Sequence, residues 1–267
     1  MSTLRKYVRG DRSVDRSSVA HRLVDEDGFT TVDEIELTPL EAGNWLSIPY
    51  VVNDEYFVKA ITQQNTLTHS FFTGIRNLGA RVSGGGPFFE TYDSPVDMAR
   101  HELESTRRMR EIGVPAPEPL QVIDGEDDAL IVYEYLDGYV PLEETALDDR
   151  IVDETFRHLR TMHDHGVAHG DFSPANVLVV DDEPHFIDTT NVSEDGLDDA
   201  VAYDLACAMG GLSARMEPED VVGAASRRYS ATMIERSLDF LLVARLRPGL
   251  ERRFSLLELR AAIDDAV

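Results

Sequence analysis

His169-Gly170-Asp171-Phe172-Ser173-Pro174-Ala175-Asn176-Val177-Leu178-Val179-Val180, followed by Asp181-Asp182-Glu183-Pro184 and His185-Phe186-Ile187-Asp188, is the stretch that decides the fold. Apolar, β-branched runs flank an acidic turn, so the spacing predicts a hairpin over 177–187. With the turn centred on Asp182, positions 176 and 188 stand opposite each other. Asn176 and Asp188 then meet at the open end of the hairpin, beside the loop that carries Asp171. One amide and two carboxylates around a point form the hard-oxygen shell that Mg²⁺ needs when phosphates supply its other ligands. Asp-x4-Asn alone is a weak signal. The preceding His169-Gly170, the apolar strand and the closing Asp make the combination specific.

Each group has a chemical task in such a site. Asp188 bridges the metal to the β- and γ-phosphates of ATP, Asn176 holds a second metal, and Asp171 orients an attacking hydroxyl and accepts its proton. The ammonium that pairs with the α- and β-phosphates is expected at the end of a strand. Lys59 closes Tyr56-Phe57-Val58-Lys59, in a chain whose only other lysine is Lys6. Arginine carries the general positive charge, so this lysine has a particular role. Glu102 is its expected ion-pair partner, because a carboxylate on an apolar helix stripe needs a cation. Glu134 and Leu136 flank the hinge Leu136-Asp137-Gly138 and offer backbone C=O and N–H groups to adenine.

Outward from this site, the first third reads as strands over 33–37, 45–52 and 55–60, with Asn53-Asp54 as a tight turn. Residues 61–94 lose all periodicity around Gly84-Gly85-Gly86-Pro87 and read as a flexible insertion. A helix then begins at Pro95, with Ser94 as N-cap and Asp97 completing a capping box. Its inward stripe is Ala99, Leu103, Thr106, Met109 and Ile112, with Glu102 on the same side, Glu104 facing water and Gly113 ending it. After three alternating prolines come a strand over 129–135 and helices over 148–165, 198–211, 217–237 and 254–266. The expected fold is α+β and bilobal: a basic arm or helix over 1–32, a small β-rich N-lobe over 33–136 and a short helical C-lobe over 137–267, with a crevice where ligands bind.

Composition narrows the function further. Among 267 residues, 50 acidic side chains face 25 basic ones, a formal charge of −25. Such a surface repels itself in dilute buffer, and at about 1 M salt the Debye length contracts to roughly 3 Å, so the balance points to a halophile's cytoplasm. Direct DNA binding is not expected, since phosphate recognition needs a basic face. No run approaches the roughly 20 apolar residues of a membrane span, and Met1-Ser2-Thr3-Leu4-Arg5-Lys6 does not open a secretory signal. Cys207 is the only cysteine, which leaves no internal disulfide. Residues 1–22 are locally basic, either a docking arm for RNA, a ribosome or an acidic partner, or an arm lying on the protein's own acidic body. His158, His163, His165 and His169 fit no common zinc spacing. His169 is expected to hold the loop by backbone hydrogen bonds. Asp204, in Tyr203-Asp204-Leu205-Ala206, is either plain helix or a brace for that loop.

These residues resemble the protein-kinase-like superfamily, most closely its atypical RIO branch and the small kinase of the tRNA-threonylcarbamoyl complex. Ser173 stands two residues after Asp171, where typical Ser/Thr protein kinases carry lysine and RIO kinases carry Ser or Asn. Glu102-Leu103-Glu104 through Gly113-Val114-Pro115-Ala116-Pro117 looks like the RIO helix and its turn, and the insertion after Lys59 sits where RIO kinases have a flexible loop. The resemblance implies an ATP- and Mg²⁺-dependent Ser/Thr protein kinase in which Lys59, Glu102, Asp171, Asn176 and Asp188 hold the core roles. It places Gly43, in Leu40-Glu41-Ala42-Gly43-Asn44-Trp45, on the phosphate-covering loop. That loop has one glycine and lacks the RIO signature, and Asp188 is followed by Thr189-Thr190-Asn191 rather than Phe-Gly. Implied partners are a protein or small-molecule hydroxyl acceptor and a ribosome or tRNA-modification assembly. The rivals are a small-molecule kinase of the aminoglycoside or choline type, which shares His-Gly-Asp-x4-Asn, and an ATPase switch or nucleotide-binding scaffold.

Overall fold

Two tight turns fix the strand pairings. Asn53 and Asp54 have φ of 54° and 55°, and Asp181 and Asp182 have φ of 49° and 62°. Positive φ at successive residues gives a turn whose twist matches that of the flanking strands, and Asn and Asp tolerate it best among residues with a side chain. Val180 pairs with Glu183 across the two residues Asp181-Asp182, and Val52 pairs with Tyr56 across the three residues 53–55. The computed structural model describes residues 16–27, 35–39, 48–66, 73, 77, 91–190, 196–247, 250 and 254–267. Gly43, the glycine cluster at 84–86 and most of the 61–94 insertion lie outside the described residues, as do residues 1–15 of the basic arm. The described residues fall into two units: the first takes those before 73, 91–107 and 117–137, and the second takes the rest. The first is built around a sheet and the second is largely helical, an α+β fold.

The first unit holds an antiparallel sheet in the order β1-β2-β3-β5-β4, with β1 Leu37–Pro39, β2 Ile48–Val52, β3 Tyr56–Thr62, β4 Pro119–Asp124 and β5 Asp128–Glu134. β4 was not expected after the prolines. Pro119 is tolerated because it opens an edge strand, where no ladder needs its N–H. Alternation along β3 sorts its side chains between two faces. Val58 and Ala60 pack with Val19 and Leu23 of helix α1 (Arg16–Asp27). Phe57 and Ile61 pack with Met98, Ala99 and Leu103 of helix α2 (Pro95–Glu111). Lys59 shares the parity of Phe57 and Ile61. Arg22 pairs with Asp128 at 2.7 Å and donates to the Ile123 carbonyl at 2.8 Å. The described part of the basic arm therefore lies on the protein's own sheet. Ser94 caps α2: its Oγ accepts from the Asp97 amide at 3.1 Å and donates to the Asp97 carboxylate at 2.6 Å.

The second unit is organised by helix α4 (Leu197–Leu212), in which residues 200–212 are all buried. Around it lie α3 (Asp149–Asp164), α5 (Pro218–Ser226), α6 (Ala231–Ser237), α7 (Leu241–Arg245) and α8 (Leu256–Ala266). Asp148 caps α3 through the Ile151 amide at 2.9 Å. The single helix expected over 217–237 is broken at 227–230, because Ser230 starts a new helix by capping the Met233 amide and Tyr229 turns into the core.

A small sheet, β6-β7-β8, comprises Val140–Pro141, Val177–Val180 and Glu183–Phe186. Its register corrects the sequence reading. Val177 pairs with Phe186 and Val180 with Glu183, so the turn is the two residues Asp181-Asp182 and not a loop centred on Asp182. Asn176 stands opposite Ile187, whose N–H donates to the Asn176 carbonyl at 3.1 Å. Asp188 lies one residue beyond that pair. Among the described residues no helix is long and apolar enough to cross a membrane.

Candidate active site

In the second unit, the loop from His169 to Asn176 is held from below by α4. Asp204 accepts the His169 amide at 2.7 Å and the Gly170 amide at 2.9 Å. Its carboxylate also lies 3.1 Å from His163 Nε2, and Tyr229 Oη lies 2.8 Å from His163 Nδ1. Burial pushes the Tyr229 hydroxyl far above the ordinary tyrosine range, so it stays protonated and donates to Nδ1. His163 Nε2–H then donates to Asp204, and the buried chain is satisfied end to end. Asp204 is thus a brace, the second of the two readings of its helix. Gly170 takes φ of 70°, which a glycine adopts without strain.

His169 works on the loop itself. Its Nδ1 accepts from the Asp171 amide at 3.3 Å, and its carbonyl accepts from the Thr190 amide at 2.8 Å. Burial holds its imidazole below the ordinary histidine pKa, so the ring is neutral and Nδ1 is available as an acceptor. Two backbone bonds, Ile187 to Asn176 and Thr190 to His169, grip the chain on either side of Asp188. Asp188 itself adopts φ of 62°, a conformation that L side chains resist and that clusters at functional sites.

Ser173 explains its own presence in the motif. Its Oγ accepts from the Ala175 amide at 3.1 Å and starts the short 3₁₀ turn Pro174–Asn176. The turn can approach α4 closely because Gly211 has no side chain: a Cβ there would meet Pro174 Cδ at 2.7 Å. Asn176 then points its Nδ2 at the Asp171 carbonyl, 3.0 Å away, and at Asp171 Oδ2, 3.4 Å away. With the nitrogen so occupied, the amide oxygen is the atom of Asn176 that could serve a cation. Asn176 Oδ1 and the Asp188 carboxylate are the hard donors that suit Mg²⁺.

Sequence reasoning missed the cation beside Asp171. Arg247, just after α7, donates through Nε to Asp171 Oδ1 at 2.9 Å and sets Nη2 at 2.8 Å from Oδ2. It also donates to the backbone carbonyls of Asp171 and Phe172. Its burial alone favours the neutral guanidine, but the Asp171 charge and hydrogen bonds raise its pKa above even the ordinary arginine value. Nothing in Leu241-Leu242-Val243-Ala244-Arg245-Leu246-Arg247 separates Arg247 from Arg245.

In the first unit, Lys59 Nζ reaches both oxygens of Glu102, at 2.8 and 2.9 Å, and the pair is buried. Tyr133 donates to Glu102 Oε1 at 3.1 Å, a contact the sequence did not suggest. Glu134 ends β5 with its N–H on the Glu118 carbonyl, and Leu136 follows, half-buried. Thr73, within the insertion, is buried. The four neighbouring histidines do not converge. His158 is pushed down to about 4 chiefly by burial, and His165 bonds its own helix at the Thr161 carbonyl. Among the described residues no group of three or more His, Cys, Asp and Glu side chains is placed to hold a metal ion.

The RIO domain family matches residues 93–201, from just before α2 to the start of α4. A curated relative, the probable bifunctional tRNA threonylcarbamoyladenosine biosynthesis protein of Natronomonas pharaonis, is 39% identical over 90 residues, which are 33% of this chain and 16% of that protein. This chain therefore aligns with only a small part of that relative. Among solved structures, the bifunctional kinase-methyltransferase WbdD aligns over 85% of this chain and 49% of its own, at 15% identity and a TM-score of 0.46. WbdD with the kinase inhibitor LY294002 aligns over 84% and 44%, at 16% identity and a TM-score of 0.42. The RIO-domain match supports a relationship to the protein-kinase superfamily and, with it, nucleotide binding and phosphotransfer as the type of function.

Proposed function

We propose that this chain is an atypical, RIO-like serine/threonine protein kinase that transfers the γ-phosphoryl group of ATP to a hydroxyl. The observation that carries the reading is the clamped loop: Asp171, Asn176 and the chain around Asp188 are tied together by hydrogen bonds, with Asp204 beneath. In the reaction the acceptor oxygen forms a bond to the γ-phosphorus while the bond from that phosphorus to the β,γ-bridging oxygen breaks. ADP leaves, and the hydroxyl proton passes to Asp171 and then to solvent. Asp171 orients the hydroxyl, and Asn176 and Asp188 hold Mg²⁺, which when bound neutralises charge on the phosphate oxygens. Lys59, set by Glu102, pairs with the α- and β-phosphates. The carbonyl of Glu134 and the N–H of Leu136 receive adenine. The name of the Natronomonas relative supports a tRNA-modification assembly as the setting.

Calorimetric Mg·ATP titration beside single-turnover assays with [γ-³²P]ATP tests the reading. Asp171→Asn should leave Mg·ATP affinity nearly intact and slow transfer by about 10²–10⁴, the share of a positioned base. Asp188→Asn should weaken both. Reversed effects would exchange the two roles, and unchanged turnover in both variants would remove the site.

A further inference from the structure

We infer that Arg247 is the positioning residue for Asp171, so that the C-terminal segment completes the phosphotransfer site. The inference rests on the reading of Asp171 as the acceptor-orienting carboxylate. A carboxylate on a loop rotates about two side-chain bonds, and a hydroxyl bound to it is aligned only if that rotation stops. Arg247 stops it with a fork: Nε meets Oδ1 at 2.9 Å and Nη2 meets Oδ2 at 2.8 Å. The same guanidinium grips the carbonyls of Asp171 and Phe172, so backbone and side chain are fixed as one body. A planar guanidinium presents these donors in a fixed geometry, whereas an ammonium offers one point charge. Arg247 is buried and Asp171 keeps some exposure, with side chains 5% and 19% accessible. The carboxylate therefore remains open to an acceptor while its holder does not.

Position in the motif strengthens the assignment. Ser173, two residues after Asp171, caps the 3₁₀ turn through the Ala175 amide and brings no charge to the carboxylate. The cation comes instead from 76 residues further along the chain. Leu250, whose N–H donates to the Arg247 carbonyl at 3.1 Å, packs on α4 and lies 3.2 Å from where a Cβ on Gly211 would stand. One helix therefore supports the loop from below through Asp204 and also seats the segment that carries its clamp.

The test is a double-mutant cycle in the full chain, assayed at high KCl with water and the protein's own hydroxyls as acceptors. Arg247→Lys keeps the cation and the fold but loses the fork. It should lower single-turnover release of ³²P-phosphate and label on the protein by about 10- to 100-fold, as expected for a misaligned reacting group. Its Kd for Mg·ATP should stay within about three-fold of wild type, since ground-state nucleotide binding does not use the fork. In an Asp171→Asn background the same substitution should cost less than about two-fold further, because a residue acting through Asp171 has nothing left to position. Arg247→Gln on Asp171→Asn, which removes both charges of the pair together, should likewise fold and add nothing. Wild-type turnover in Arg247→Lys overturns the proposal. So does a loss that persists in full on Asp171→Asn, a parallel loss of Mg·ATP affinity, or failure of Arg247→Lys to fold, each of which assigns Arg247 to stability alone. If Asp171→Asn itself turns over like wild type, the underlying reading fails first.

Discussion

Lys59–Glu102, buried at both ends, and Arg247–Asp171, in which the arginine is buried and the carboxylate partly exposed, are cation–carboxylate pairs, one in each unit, and they are built differently. Lys59 places one ammonium between the two oxygens of Glu102, and the Tyr133 hydroxyl adds a third contact. Arg247 spreads a planar fork across both oxygens of Asp171 and the backbone on either side. A point charge on a flexible stem suits the proposed contact of Lys59 with phosphates, and a rigid fork suits the proposed role of Arg247 in holding another residue still. The first pair joins a strand to the helix packed over it, so regular structure aligns the partners. The second joins two loops, and only their supports on α4 bring them together.

Breaking the first pair should have the largest effect on stability. Glu102→Gln removes the charge that Glu102 sets against the buried Lys59 ammonium, and loss of one partner from such a pair costs about 3–5 kcal/mol. Denaturant midpoints in high KCl would read it, and Mg·ATP affinity should fall with it. A variant as stable as wild type would mean that Lys59 escapes to water.

A smaller effect is expected beneath the second pair. Asp204→Asn keeps the shape but turns one accepting oxygen into a donor, so one of the His169 and Gly170 amides loses its acceptor and the other its charge assistance, at about 1.5–3 kcal/mol per bond. Hydrogen exchange at those two amides should accelerate before the rest of α4 responds. Uniform acceleration would show that Asp204 supports the helix and not the loop.

The smallest effect sharpens the contrast between buried pairs and surface charge. Raising KCl from roughly 0.15 M to about 2 M should raise the wild-type midpoint, because the formal charge of −25 is then screened. The penalty of Glu102→Gln should change by less than about 0.5 kcal/mol over the same range, since ions do not reach a buried pair. A wild-type midpoint indifferent to salt would remove the halophile inference.

Much of this was legible because short-range rules govern it. Ser94 and Asp97 announced the start of α2, and the helical period put Glu102 on its buried side. The alternation of β3 put Lys59 on the same face as Phe57 and Ile61. His169-Gly170-Asp171 and Asn176 announced their loop in combination with the apolar strand that follows and the closing Asp188. The register of β7 and β8 was misread by one residue because sequence does not say whether Asp182 centres a turn or shares it with Asp181. The break at Tyr229 was missed because a capping serine inside a helical pattern reads equally well as surface.

The sequence by itself determined the class of fold, the loop that carries Asp171 and Asn176, and the strand and helix that supply Lys59 and Glu102, because helix and strand periods act over a few residues. Tertiary structure alone decided that Asp204, Gly211, Tyr229 and Arg247 support that loop. Their contacts span about 35 to 76 residues of chain, a distance over which no local period carries information, and only the packing of the α4 core selects which arginine turns inward.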